Sequence, residues 1–353
     1  MRTYAVVCAY RPAAALVELV RALHAAPELA GVIVVDDGSG PAHAPVFAAV
    51  QAFPRVEVLR HAVNLGKGAA LKTGLNRAAA SDPGCLVVTA DADGQHLPAD
   101  VLRIAAFAVG CPDALVLGAR AFNGETPWKS RIGNGLTRRT LRAVVGLSLR
   151  DTQTGLRAIP ASLVPHLLRL PSRGYEFELD MLMLCRQLGF PVVETTIETV
   201  YLEGNATSHF DPLLDSLRIY VTLLRVVGIS LRVALVDLAA FLVLFAALAP
   251  RLGSVGALLC SQAAARLIAG LEDYTAVRRV LFLPRLENAR VLPRYLALGA
   301  VSAAASAALI LAGARLGLSV PAAKALAEGL LFVPAYVVQR DRVFRGPSGP
   351  PAR

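Results

Sequence analysis

The chain has 353 residues and a formal net charge of +10; 55% of its residues are hydrophobic and only 18% are charged. With a mean hydropathy of +0.53, that composition is too apolar for a wholly soluble enzyme of this length and points to a membrane-embedded part. The positive balance suits nucleic acid, an anionic membrane or a phosphorylated substrate, but the arginines gather at the ends of apolar segments rather than on a face interleaved with aromatics, which sets nucleic acid aside as a partner.

The first strand expected is Tyr4–Cys8, soon broken by Arg11 and Pro12. It is too short for a secretory leader, so the first domain is expected to stay in the cytoplasm. Leucine and valine at 16, 19, 20 and 23 give Ala13–Ala26 helical spacing. Continuous apolar runs at Gly31–Val35, Val56–Leu59, Cys85–Ala90 and Ala114–Leu117 read as buried parallel strands. Helix-compatible stretches lie at Gly68–Ala80 and Ala99–Val109. This alternation predicts a doubly wound α/β sheet over the first part of the chain, with ligands beyond the carboxyl ends of its strands. Cys8, Cys85, Cys111, Cys185 and Cys260 include no Cys-x-x-Cys pair, so neither a disulfide framework nor a zinc site is expected, in keeping with a reducing compartment.

Asp211–Val227 has the pattern of an amphipathic helix, fitting either a membrane surface or a packed core. Four apolar segments follow at 230–250, 254–276, 292–314 and 318–338, each near the ~20 residues a membrane-spanning helix needs. Arg232, Asp237, Arg266, Glu272, Asp273, Lys324 and Glu328 fall within or near them and are expected to face the bundle interior or to snorkel. Arg278, Arg279, Arg285, Arg290 and Arg294 crowd one connection, and Arg340, Arg342 and Arg345 the tail, whereas the two short connections carry Arg251 and Arg315. The positive-inside rule then places both termini in the cytoplasm. Tyr274, Arg278 and Phe282 share their spacing with Tyr336, Arg340 and Phe344, a faint internal repeat of two helix pairs.

The acidic motifs sit where the strands end. Asp91-Ala92-Asp93-Gly94-Gln95-His96 puts two carboxylates and an amide carbonyl at one strand tip, a set of hard oxygen ligands for Mg²⁺ or Mn²⁺ on a phosphate. His96 reads as a structural neighbour rather than a ligand. Asp36-Asp37-Gly38-Ser39 offers carboxylates to a nucleobase or ribose, or a helix cap. Asn64-Leu65-Gly66-Lys67-Gly68 is either a tight turn or a phosphate-binding loop with Lys67 as its cation. Gly118-Ala119-Arg120 and the later Arg131 can fork onto phosphate. Asp151-Thr152-Gln153-Thr154-Gly155-Leu156-Arg157 is a dense polar stretch. Tyr175-Glu176-Phe177-Glu178 holds either paired surface charges or site residues, and Asn205–Phe210 precedes the amphipathic helix.

In this order and combination the motifs resemble the family 2 glycosyltransferases over residues 1 to about 228, above all those that act on dolichyl or bacterial polyprenyl phosphates. The four apolar segments are similar to the GtrA-like membrane family. The resemblance implies a GT-A (Rossmann-like) α/β catalytic domain over 1–210, an interface helix over 211–228, an all-α four-helix transmembrane domain over 229–345 and a tail over 346–353. It implies Asp91, Asp93 and Gln95 on a Mg²⁺ or Mn²⁺ ion. Tyr10, Asp37, Lys67 and Asp91 would bind the donor, and Asp93, Arg120 and Arg131 would take part in catalysis, with Arg120, Arg131 and Arg157 near the acceptor phosphate. Tyr10 follows Cys8-Ala9, where the family often has Pro-Ala, and Arg11 stands where it has Asn. The partners implied are a nucleotide-sugar donor (UDP-glucose or GDP-mannose type), undecaprenyl or dolichyl phosphate and the lipid bilayer, at the plasma membrane with the catalytic domain cytoplasmic. A homo-oligomer is compatible with this reading. The expected activity is inverting hexose transfer to the lipid phosphate for cell-envelope or glycoconjugate synthesis. A processive polysaccharide synthase fits less well, because the one tryptophan, Trp128, lacks the Gln-x-x-Arg-Trp context. The alternative from another class is a lipid-linked-sugar flippase or transport protein with a non-catalytic transferase domain, against which the intact acidic, lysine and arginine motifs speak.

Overall fold

A computed structural model describes residues 1–120, 142, 146–151, 154–198, 214–280 and 288–343. Arg131, Thr152, Gln153, the Asn205–Phe210 motif, Phe282, Phe344, Arg345 and the tail lie outside the described residues. The described residues form two compact units, one within residues 1–222 and one within residues 223–343.

In the first unit β1 (Thr3–Ala9), α1 (Ala15–Ala25), β2 (Gly31–Asp36), α2 (Ala44–Gln51), β3 (Val56–Arg60), α3 (Lys67–Ser81), β4 (Leu86–Asp91), α4 (Pro98–Val109) and β5 (Leu115–Arg120) alternate along the chain. They are followed by β6 (Arg157–Ile159), the single turn α5 (Val164–Leu167), α6 (Glu176–Leu188) and β7 (Val192–Ile197). Among the described residues, seven strands form one sheet in the order β3-β2-β1-β4-β6-β5-β7. Pairing is parallel except at β6, which runs antiparallel to both neighbours. The sheet is therefore mixed rather than all parallel. Every residue of β2 is buried, as expected of a strand covered on both faces. The core includes Leu16, Leu19, Val20 and Leu23 of α1 packed with Val101 and Ile104 of α4.

The strand order reverses at β1. From β1 the chain proceeds outward to β2 and β3, and β4 then lies on the other flank of β1. Open α/β sheets bind their ligands at such a switch point, beyond the carboxyl ends of the strands. Here Cys8 of β1 is in register with Asp91 of β4, so the acidic motif occupies that location.

The second unit is helical. Among the described residues, three helical stretches are long and apolar enough to cross a membrane: Gly228–Asp273, Val291–Arg315 and Val320–Val343. They belong to α7 (Leu214–Val280), α8 (Asn288–Arg315) and α9 (Val320–Val338), the last continued by a π-helical turn over Gln339–Val343. The first stretch has 46 residues and is not one rod. Gly253 has φ 69° and ψ 171°, outside the helical region, and this break falls between the segments expected at 230–250 and 254–276. Exposed Leu267, Leu271, Val301 and Val333 give this unit an apolar surface suited to lipid rather than water.

Candidate active site

The site begins at the tip of β4. The Asp91 carboxylate Oδ1 lies 2.7 Å from Lys67 Nζ, at the first residue of α3. The same ammonium lies 3.1 Å from Glu178 Oε1 in α6, and the Tyr175 ring is 5.6 Å away. Three elements distant in sequence thus meet on one lysine. Burial disfavours the ammonium, but the two carboxylates outweigh that and hold the Lys67 pKa above the ordinary range. Burial alone would raise the Asp91 carboxyl; the charge of Lys67, then His96, overcomes it and keeps the group below the usual carboxylate range.

Asp91 is also fitted from below. The Thr89 hydroxyl donates to the Gly155 carbonyl at 2.7 Å, which ties the Asp151–Arg157 stretch to β4. A Cβ at Gly155 would stand 2.3 Å from Asp91 Oδ2, so only glycine leaves room for the carboxylate. The Asp91 N–H donates to His96 Nδ1 at 2.9 Å, and the Gln95 N–H to Asp93 Oδ1 at 3.0 Å. The buried His96 ring closes this turn as a hydrogen-bond acceptor; burial, the largest effect, holds its pKa below the ordinary imidazole value. Asp93 is shifted upward, by burial and then by the like charge of Asp91.

Among the described residues, no three His, Cys, Asp or Glu side chains converge as a metal cage. What the β4 tip offers is Asp91, Asp93 and the Gln95 amide. Mg²⁺ and Mn²⁺ suit oxygen donors, and Mg²⁺ on a nucleotide is commonly held by one or two carboxylates with the remaining positions filled by phosphate and water. The donor set fits a hard divalent cation by its chemistry, and the Lys67 ammonium lies beside it on Asp91.

Arg120, at the end of β5, forks onto Asp151. Its Nε donates to Oδ2 at 2.6 Å and its Nη2 to Oδ1 at 3.2 Å. Asp151 is fully buried while Arg120 is partly exposed, so a fixed carboxylate aims a cation at the edge of the site. Tyr10 follows β1 half-buried, with the Arg11 guanidinium 5.0 Å from its ring centroid.

Asp37 and Arg157 both make hydrogen bonds within the protein. Asp37 is buried, with Oδ1 on His61 Nδ1 at 2.7 Å and on the Leu65 N–H at 2.9 Å, and with Oδ2 on the Gly66 N–H at 2.8 Å. It builds the loop that delivers Lys67. Arg157 is 1% exposed; its Nε donates to the Thr154 carbonyl at 2.9 Å and its Nη1 to the Glu178 carbonyl at 2.6 Å. It braces the strand beneath Asp91 and adds positive charge there, and its buried Nη2 has no hydrogen-bond partner among the described residues. Gly66, with φ +100°, packs against the Arg173 carbonyl, where a Cβ would come within 2.6 Å. The sequence alone offers Glu178 either as a surface charge or as a site residue, and gives no local signal that joins Asp151 to Arg120. An acidic residue in an otherwise buried helical turn was the available signal for Glu178.

The glycosyl transferase family 2 model matches residues 4–166. An undecaprenyl-phosphate mannosyltransferase of Micrococcus luteus is 32% identical over 58% of this chain and 85% of its own length. A polyprenol monophosphomannose synthase of Mycolicibacterium smegmatis is 30% identical over 50% of this chain and 69% of its own. Among solved structures, the Mycobacterium tuberculosis glucosyl-3-phosphoglycerate synthase in complex with phosphoglyceric acid is 22% identical, covering 64% of this chain and 80% of that one, with a TM-score of 0.48.

Proposed function

This chain belongs to the family 2 glycosyltransferases, and on that premise we propose that it transfers a hexose from a nucleotide sugar to a polyprenyl phosphate at the cytoplasmic face of a membrane, with inversion. The observation that carries the proposal is the union in one chain of two things. One is a lysine-bridged carboxylate pair at the switch point of the sheet; the other is three helical stretches able to cross a bilayer. Relatives whose names specify undecaprenyl and polyprenol phosphates support the acceptor class. The donor is of the UDP-glucose or GDP-mannose type.

In this mechanism an oxygen of the acceptor phosphate attacks the anomeric carbon as the nucleoside diphosphate leaves from the opposite face. A phosphate is ionised at neutral pH, so the attack needs no strong general base. Asp91, Asp93 and Gln95 would hold a Mg²⁺ or Mn²⁺ ion, which stabilises negative charge on the leaving diphosphate when bound. Lys67 adds a buried positive charge beside Asp91, and Glu178 fixes the lysine in that position. Arg120, aimed by Asp151, and Arg131 neutralise the phosphates. Arg157 positions the strand rather than touching the acceptor. The apolar helices keep the enzyme with a substrate whose tail stays in lipid.

The test is Asp93→Ala in the full-length chain, assayed for transfer to polyprenyl phosphate with Mg²⁺ or Mn²⁺. Loss of one charge-stabilising group typically costs about 10²–10³ in rate. Unchanged turnover would remove Asp93 from the proposed site.

A further inference from the structure

The Lys67 ammonium bridges two carboxylates, and the protein fixes the frame around it. The backbone beside Lys67 is pinned where α3 meets the turn before α6. There the Ala69 N–H donates to the Arg173 carbonyl at 2.9 Å, and a Cβ at Gly68 would stand 2.6 Å from Phe177 Cβ and 2.8 Å from the Gly174 carbonyl oxygen. Asp91 is equally confined. Its carboxylate is backed by Gly155, where a Cβ would come within 2.8 Å of Oδ1 and closer still to Oδ2, and its N–H is fixed on His96. The Lys67 side chain is a different kind of object. It is a flexible four-carbon stem ending in a compact ammonium with three rotatable donors.

That ammonium has two resting places. One is Asp91 Oδ1, at 2.7 Å; the other is Glu178 Oε1, at 3.1 Å, with the Tyr175 ring at the start of α6 5.6 Å away. Among the described residues, Lys67 is the one ion-pair partner of Glu178, whose side chain is only 10% exposed. A carboxylate so far removed from water is expensive unless it is paired. The shorter contact is to Asp91, which is also the carboxylate that suits a divalent cation. An ammonium on Asp91 repels a second positive charge arriving at the same group, so Lys67 and a divalent cation compete for it. Glu178 gives the lysine somewhere to go without losing its counter-charge.

We infer that Lys67 is an exchangeable counter-ion: it covers Asp91 in the metal-free protein and moves onto Glu178 when a divalent cation takes Asp91, so that Glu178 is a positioning residue that sets metal affinity through the lysine. The inference rests on the metal role proposed above for Asp91. No proton changes place in the exchange; the ammonium and both carboxylates stay ionised, and only the pairing alters. The signature is coupling. A carboxylate that merely attracts the cation acts whether or not Lys67 is present, whereas a carboxylate that receives the lysine has an effect only while there is a lysine to receive.

The test measures Mn²⁺ binding to the full-length chain in detergent, without nucleotide sugar, from the electron paramagnetic resonance signal of the free ion. Lys67→Met is expected to tighten binding about tenfold, because no ammonium has to be displaced. Glu178→Gln is expected to weaken it about tenfold, because the lysine then stays on Asp91. In the double variant Lys67→Met/Glu178→Gln the affinity should match that of Lys67→Met within about twofold, a coupling near 1.4 kcal/mol between the two residues. Thermal unfolding in EDTA checks that each variant keeps its fold; Lys67→Gln, which can still hydrogen-bond to the carboxylates without the charge, replaces Lys67→Met if that chain does not fold. Mn²⁺ binding that is absent, unchanged or weaker in Lys67→Met, or a Glu178→Gln effect of equal size with and without the lysine, overturns the inference. Asp91→Asn is expected to lose the ion, and binding that survives it overturns both the exchange and the metal role of Asp91. Absent sugar transfer with the exchange intact would fail the proposed function alone.

Discussion

The two units place the same small assembly, a lysine between two carboxylates, in two different solvents. In the α/β unit Lys67 lies 2.7 Å from Asp91 and 3.1 Å from Glu178, with the side chains 10–26% exposed. In the helical unit Lys324 lies 2.6 Å from Asp237 and 2.7 Å from Glu328, with the lysine and Asp237 wholly buried. Water near the first assembly lets its charges separate and meet a ligand's charge at modest cost. In the second the charges must stay paired, because an unpaired ion away from water is penalised by several kcal/mol. The chemistry of a charged cluster therefore depends on its access to solvent as much as on its residues.

The sharpest way to break this comparison is to remove each lysine. Lys324→Met strands Asp237 and is expected to destabilise the helical unit by about 3–5 kcal/mol, seen as a lower unfolding temperature of the full chain in detergent. The double variant Asp237→Leu/Lys324→Met should recover most of that loss; failure to recover would show that the pair is not the coupled element. Next in size, Asp91→Asn in the α/β unit is expected to lower sugar transfer about 10²–10³-fold. Lys67→Met should lower it about tenfold or more while shifting the unfolding temperature far less than Lys324→Met, because its partners keep some access to water. A shift as large as that of Lys324→Met would erase the distinction between the two assemblies.

A smaller effect sharpens the site itself. Gly155→Ala drives a methyl against Asp91 Oδ2 and should cost about 1–3 kcal/mol as overpacking, with transfer reduced more than stability. Smallest is Arg120→Lys, which keeps the charge and loses the fork onto Asp151. A fall in kcat/KM of about tenfold is expected, and an unchanged value would make the fork dispensable.

The two regions also differ in how far the sequence discloses them. β1, β2 and β4 are covered on both faces, so their apolar runs are continuous and readable. β6 has three residues, including the buried Arg157, and β7 is a half-exposed edge strand with Glu194-Thr195-Thr196 at its centre; neither presents an uninterrupted apolar run. The tip of β4 was legible because Asp91 and Asp93 directly follow an apolar strand. The Lys67–Glu178 and Arg120–Asp151 pairs were not, since they join residues 111 and 31 positions apart and leave no local periodicity. Asp37 shows the opposite limit. A carboxylate after a strand reads alike whether or not it also accepts from backbone groups, as Asp37 does from the Leu65 and Gly66 N–H groups. In the helical unit the charges expected to face inward include Asp237 and Lys324, both fully buried, but their mutual pairing appears only when the first half of α7 and α9 are brought together.

The proposed reaction is the transfer of sugar to a lipid phosphate. It is tested most directly by offering the purified full-length chain a panel of nucleotide sugars with a short polyprenyl phosphate and Mg²⁺ or Mn²⁺, and weighing the lipid by mass spectrometry. The expected product is a new species heavier than the acceptor by one hexose residue, formed from one donor and abolished by chelation. Release of free sugar with the polyprenyl phosphate unaltered, or no lipid product from any donor, would contradict it.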